Sequence, residues 1–251
     1  MAGYFNGSVY AEIADSSNLS LISTSGWTFS FFLYPDTGLT EPDFGYIYNH
    51  GSTLVLNDAF SVIRGGFGVQ PYNTIRVVVD WVGASGLVDF TSTNTLNNDE
   101  WNRVIITYVS GGDLIIAING ASDSMLPSAL PDNNPIGTAR IGYSTAGGTR
   151  NFPGRIAHAA KYDREFLLAD AEAFSGTFLS PEFAQRDLTW HAPMFSDAVW
   201  DRQNNVDITP QGMEWRPHGP FIYPAKDFNG RGSGGLIPPG GEDTWRYFRV
   251  A

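Results

Sequence analysis

Cysteine is absent from the chain, which excludes a disulfide framework, a thiol nucleophile and any Cys-ligated zinc, iron–sulfur or haem centre. Stability has to come from packing and hydrogen bonds. Charge is sparse as well: 16% of residues are charged, and 15 Lys and Arg stand against 26 Asp and Glu, a net charge of −11. With no cluster of basic residues longer than two, such a chain repels phosphate backbones, so nucleic-acid binding is not expected, and anionic membrane surfaces are disfavoured for the same reason. No stretch of about 18 apolar residues is present, so no membrane-spanning helix is expected. The first residues lack both the basic start and the apolar core of a secretory signal, which predicts a protein made in the cytoplasm and released, if at all, by lysis.

What is plentiful points to strands and turns. Aromatic residues make up 14% of the chain, with 28 Gly and 15 Pro, a profile poor in helix formers. The 251 residues allow one large domain with an appendage. Up to about residue 180, short apolar runs alternate with Gly, Asn and Asp turn signals. They predict strands at Trp27–Tyr34, Tyr46–Tyr48, Phe60–Arg64, Thr74–Trp81, Leu87–Phe90, Trp101–Tyr108, Leu114–Ile118, Ala139–Ile141 and Arg155–Tyr162. One segment, Arg164–Phe174, carries Phe166, Leu167, Ala171 and Phe174 at helical spacing and predicts a short helix lying across a β-sandwich.

Beyond residue 180 the texture changes, with eight of the prolines and four of the seven tryptophans falling in 181–251. Nine acidic against seven basic residues leave that segment at −2, so the first 180 residues carry −9. This division predicts an acidic sandwich over 1–180, a Pro/Trp-rich attachment segment over 181–227 and a Gly-rich tail over 228–251. Trp190, Trp200 and Trp215 in the segment are candidate partner contacts. In the tail the candidates are Trp245, Arg246, Tyr247, Phe248 and Arg249.

The run Asn98-Asp-Glu-Trp101-Asn-Arg-Val-Ile-Ile-Thr-Tyr108, followed by Gly112-Asp-Leu-Ile-Ile-Ala-Ile-Asn119-Gly120, resembles the tryptophan-strand hairpin of laminin-G-like, concanavalin A-like domains. Phe5-Asn6-Gly7 with Tyr10, then Gly26-Trp-Thr-Phe-Ser-Phe-Phe32, then Ile141-Gly142, Phe152-Pro-Gly154-Arg-Ile156 and Tyr162-Asp-Arg164 follow in that family's order. The resemblance, over about residues 4–175, implies an all-β, antiparallel β-sandwich jelly roll with one short helix and an irregular C-terminal extension. Such a fold hosts lectins, glycosidases and structural proteins alike, so the site must decide.

The acids do not read as catalytic. A retaining glycosidase needs two carboxylates about 5–5.5 Å apart, and the glucanases of this fold carry Glu-x-Asp-x-x-Glu or Glu-x-Asp-x-Glu. Neither occurs: Glu41-Pro-Asp43 lacks a third acid, Asp80 and Asp89 stand alone, and adjacent Asp99 and Glu100 would face opposite sides of a strand. His50, His158, His191 and His218 lack metal-binding spacing, and His158 between two alanines reads as a packed strand residue. No cofactor and no enzymatic activity are expected. Laminin-G-like domains often hold calcium, and the rim oxygens of Asp36, Asp43, Asp58, Asp113, Asp132, Asn133 and Asn134 are of the hard kind that suits it, though no calcium loop is present.

Leu188-Thr-Trp190-His-Ala-Pro through Pro217-His-Gly-Pro220-Phe-Ile-Tyr-Pro224 resembles the sequel to the sandwich in laminin-G-like proteins of tailed bacteriophages. That resemblance implies a virion protein, a capsid decoration or cement protein contacting the major capsid protein or other virion proteins, with a trimer the natural state at capsid threefolds. The alternative is a glycan-binding module of the virion, on head or tail fibre, that attaches to polysaccharide. Its sugar-stacking candidates are Tyr46, Tyr72, Trp81 and Tyr143.

Overall fold

A computed structural model describes residues 2–5, 9–14, 17–21, 26–37, 45–51, 60–65, 73–80, 87–127, 137–144, 151–194, 201–203, 205–217, 219 and 221–222. The strands are β1 (Ala2–Phe5), β2 (Tyr10–Ile13), β3 (Trp27–Pro35), β4 (Gly45–His50), β5 (Phe60–Arg64), β6 (Thr74–Asp80), β7 (Leu87–Thr95) and β8 (Asn102–Tyr108). They continue as β9 (Leu114–Ile118), β10 (Ala121–Met125), β11 (Ala139–Ile141), β12 (Gly154–Tyr162), β13 (Leu188–Ala192), β14 (Ile208–Gln211) and β15 (Glu214–Arg216), with one helix, α1 (Leu168–Ser175). Two antiparallel sheets form a sandwich. One sheet runs β10-β9-β8-β3-β12-β1-β15, with β13 also paired to β12, and the other runs β14-β2-β11-β4-β5-β6-β7.

Alternation along the strands builds the core. Trp27, Phe29, Phe31 and Leu33 of β3 point inward, as do Val104, Ile106 and Tyr108 of β8, against Ile47, Tyr48, Phe60, Val62 and Val77 of the facing sheet. Aromatic edges and faces interlock there, with Phe29 5.0 Å from Phe60 and 6.2 Å from Trp190. The β9–β10 hairpin turns on Asn119 and Gly120, both with positive φ (51° and 91°), the backbone pair that matches the twist of the flanking strands.

The expected strands are present, with Trp81 outside the described residues and β4 and β7 longer than expected, but two expectations need correction. The helix starts at Leu168: the Phe166 backbone N–H donates to the hydroxyls of Thr28 (3.1 Å) and Thr107 (2.9 Å), Leu167 is extended, and 164–167 stay outside the helix. A boundary at 180 does not hold either. β13 and β15 complete one sheet and β14 edges the other, so the described part of the Pro/Trp-rich segment belongs to the sandwich rather than to a separate attachment arm.

Strand β12 organises the covered side of the molecule. Its first half pairs with β1 and its second half with β13 along the same edge, and a bulge inserts one residue between Ala157 and Ala160 relative to β3. His158 sits at that bulge with φ 48°. The extra residue turns its ring outward, among Phe32, Phe221 and His191.

Candidate functional site

The outer face of the seven-stranded sheet is built from cross-strand polar and aromatic pairs. On β2, Ala11 and Ile13 point into the core, so Tyr10 and Glu12 point out. Glu12 stands opposite Arg140 of β11 on one side and Thr209 of β14 on the other, and Gln211 stands opposite Tyr10. Arg140 donates from Nε and Nη2 to Glu12 Oε2, each at 3.2 Å, and its guanidinium carbon lies 4.5 Å above the Tyr10 ring. Tyr143 stacks on the same ring at 5.5 Å with 26° between planes.

Backbone geometry brings Tyr143 there. After β11 the chain bends at Gly142, whose φ is 85° and where a Cβ would lie 2.0 Å from the Phe5 ring. The bend is pinned by Gly142 N–H donating to Ile47 O (2.8 Å) and by Phe152 N–H donating to Gly142 O (3.0 Å). Tyr10 and Tyr143 are half-buried, and Thr209 and Gln211 are exposed. An aromatic ledge is thus rimmed by a guanidinium, a carboxylate, a hydroxyl and an amide, which is the chemistry that stacks on a pyranose and hydrogen-bonds its hydroxyls.

Of the expected sugar-stacking residues, Tyr143 lies in this arrangement. Tyr46 does not, since it is buried against Ile63 and Val78, and Tyr72 and Trp81 lie outside the described residues. Of the expected partner contacts, Trp190 is fully buried between the sheets and Trp215 packs partly buried against the same core, because both alternate inward along their strands. Trp190 has no surface left for a partner, while Trp215 stays partly exposed. Trp200, Trp245, Arg246, Tyr247, Phe248 and Arg249 lie outside the described residues. So do Asp43, Asp58, Asp132, Asn133 and Asn134 of the calcium set, and among the described residues no three His, Asp or Glu side chains gather as metal ligands.

The outer face of the eight-stranded sheet holds a buried polar chain that sequence spacing concealed. His158 Nδ1 and His191 Nε2 are 2.9 Å apart. On its other side, His191 Nδ1 stands 3.7 Å from Glu182 Oε1, longer than a hydrogen bond, and Glu182 is ion-paired with Arg202. Burial alone would raise the Glu182 carboxyl, but His191 and Arg202 beside it hold it down at about 2. Burial lowers the basicity of His191. Asp201, also buried, accepts the backbone N–H groups of His191 (2.7 Å), Gln203 (2.9 Å) and Asn205 (2.7 Å), which ties β13 to the segment that follows it.

A sequence model described as the concanavalin A-like lectin/glucanases superfamily, of laminin-G type, matches residues 5–171. No curated protein matches the sequence. Among solved structures, a Bacteroides ovatus protein described as carbohydrate-binding superposes with a TM-score of 0.61 at 19% identity, over 85% of this chain and 58% of that one. A pentraxin from Limulus polyphemus gives 0.53 at 13% identity over 85% and 92% of the two chains. The CBM40 module of a Ruminococcus gnavus sialidase gives 0.54 at 11% identity over 70% and 98%. At these identities the likeness is one of fold.

Proposed function

Because the chain belongs to the concanavalin A-like lectin/glucanases superfamily, we propose that it is a non-catalytic glycan-binding module whose sugar site is the Tyr10–Tyr143 ledge. The observation that carries this reading is the half-buried tyrosine stack beside Arg140, Glu12, Thr209 and Gln211. Carbohydrate-binding neighbours of the same fold support it. A glycosidase acid must be held above the ordinary carboxylate range. Asp123 and Glu182, held below that range by their hydrogen-bond partners, are not such acids. A glycan array tests the reading: saturable binding by the intact chain, abolished by Tyr143→Ala in a folded variant, is expected, and silence across the array overturns it.

The setting we propose is the surface of a phage particle, on the strength of the resemblance over 188–224 and of the acidic sandwich. Of the segment's candidate contacts, Trp190 is enclosed by the core and Trp215 is partly buried against it, so adhesion fits the geometry better than a cement role. Comparing particles with and without the protein under heat or osmotic shock separates the two. Equal stability leaves adhesion alone.

A further inference from the structure

Most described cations of this acidic chain face a carboxylate. Arg76 pairs with Asp89, Arg140 with Glu12, Lys161 with Asp163, Arg186 with Asp187, Arg202 with Glu182 and Arg216 with Glu214. Arg64 and Arg103 are buried and donate to uncharged oxygens. Two half-buried arginines, Arg155 and Arg164, have no carboxylate within ion-pair distance among the described residues. Arg164 lies over Phe166. Arg155 lies within an aromatic row.

That row crosses the open end of the eight-stranded sheet. Tyr4 of β1 stands directly opposite Arg155 of β12, and Arg155 stands directly opposite Tyr34 of β3, so the three side chains share the outer face. The Arg155 guanidinium carbon is 4.1 Å from the centre of the Tyr34 ring, and the Trp101 and Tyr34 rings meet edge to face with centroids 5.6 Å apart. Arg155 Nη1 donates to Pro217 O at 3.3 Å, while its Nε is buried with no hydrogen-bond partner. Burial and the nearby Asp36 carboxylate make the Tyr4 hydroxyl hold its proton more tightly, and Arg216, ion-paired with Glu214 at 3.1 Å, lies over the Tyr4 ring. The row therefore offers donors with few acceptors: Tyr34 OH, Trp101 Nε1 and a guanidinium that lacks a counter-charge.

We propose that Tyr4, Arg155, Tyr34 and Trp101 form a second ligand site, on the opposite sheet from the Tyr10–Tyr143 ledge, that takes carboxylate-bearing sugars of the uronic-acid class. A flat guanidinium held on a tyrosine ring is preorganised for a carboxylate, and the half-buried Trp101, against which Gly219 and Phe221 pack, adds apolar surface beside it for the sugar ring. The contrast with Arg140 carries the assignment of class. Glu12 already occupies Arg140, so the ledge suits neutral sugars, while Arg155 lacks the anion that a uronate brings. The site takes from the proposed function only that the ligand is a saccharide.

Calorimetric titration of the full chain with an oligomer of galacturonic acid, a neutral galactose oligomer of equal length and an oligo-glutamate tests the assignment. The galacturonate oligomer is expected to bind, to weaken about tenfold or more in Arg155→Gln and at high salt, and to be unaffected by Tyr143→Ala. Should Arg155→Gln fail to fold, Tyr34→Ala carries the same expectation. Oligo-glutamate binding as tight as galacturonate, or an equal loss in Tyr143→Ala, overturns the proposal. Neutral-sugar binding without galacturonate binding overturns it while leaving the ledge intact, and silence to every sugar removes both.

Discussion

The two sheets share one alternation rule and meet solvent in opposite ways. Many outward residues of the seven-stranded sheet satisfy one another across strands, Glu12 with Arg140, Asn49 with Ser61 at 2.8 Å and Arg76 with Asp89, around one buried apolar patch of Tyr46, Ile63 and Val78. Outward residues of the eight-stranded sheet are largely apolar. Phe32, Ala157, Ile105, Ala160 and Tyr162 need a cover, and α1 together with the chain around Phe178, Pro181–Ala184 and Phe221 supplies it. Paired polar residues let a sheet face stand open for ligands, whereas apolar ones commit it to packing. The cover is not a clean apolar seal, because Ser30 Oγ, Arg103 Nε and Nη2, Ser180 Oγ and His191 Nδ1 are buried there without hydrogen-bond partners.

The largest expected contrast comes from one arginine on each face. Arg103 is buried between the rings of Phe32 (4.7 Å) and Phe174 (3.5 Å), and its Nη1 donates to Thr177 O (3.4 Å) and to Leu179 O. Arg103→Ala leaves a cavity and strands two partly buried carbonyls, a loss of about 3 kcal/mol. Arg140→Ala removes a partly exposed ion pair worth about 1 kcal/mol or less. Urea midpoints measure both. Equal losses would mean that the covered face is not the more tightly committed of the two.

Acid should act on the covered face through His191. Burial lowers its affinity for protons in the folded state, so the unfolded ring protonates first as pH falls through about 6.5. Its contribution to stability is full above that pH and declines below it, at up to about 1.4 kcal/mol per pH unit. Glu182, held at about 2, adds a second loss as pH falls below the ordinary carboxylate range toward that value. His191→Gln should flatten the decline between pH 6.5 and 5 in chemical denaturation, and an unchanged slope would assign the acid sensitivity elsewhere.

Residue patterns made the sandwich legible and left much of both faces hidden, for reasons that are local and non-local respectively. β5, β9 and β11 were readable to the residue because short apolar or β-branched runs are bounded by turn residues. Trp101 could have been placed outward by parity alone, since Val104, Ile106 and Tyr108 define the inward register of β8 and an odd-numbered neighbour faces the other way. β13 was obscured by its Pro- and Trp-rich setting and by the irregular pairing beside Tyr162, which leaves Trp190 and Ala192 facing the core and Leu188 packed in the outer cluster with Tyr162. Tyr143 was readable as an aromatic beside a turn. Its partners were not, because residues 10, 140 and 209 meet only when β2 is placed between β11 and β14. The His158–His191 contact likewise depends on the bulge in β12, which no spacing between the two histidines encodes.

The smallest effect is expected where ligand binding should change most. Tyr143 contributes one offset stack on Tyr10, worth about 0.5–1.5 kcal/mol when fully formed, and its half-buried position reduces that value. Tyr143→Ala should therefore cost below about 1 kcal/mol and move the melting temperature of a chain this size by about 2–4 °C or less. The Glu12–Arg140 pair and the Gly142 bend do not depend on the ring, so the face keeps its shape. A loss of sugar binding at this small cost identifies Tyr143 as a contact to ligand. A large drop in melting temperature would mean instead that the ring holds the β11 end of the sheet together, and the open face would then resemble the covered one in its dependence on aromatic packing.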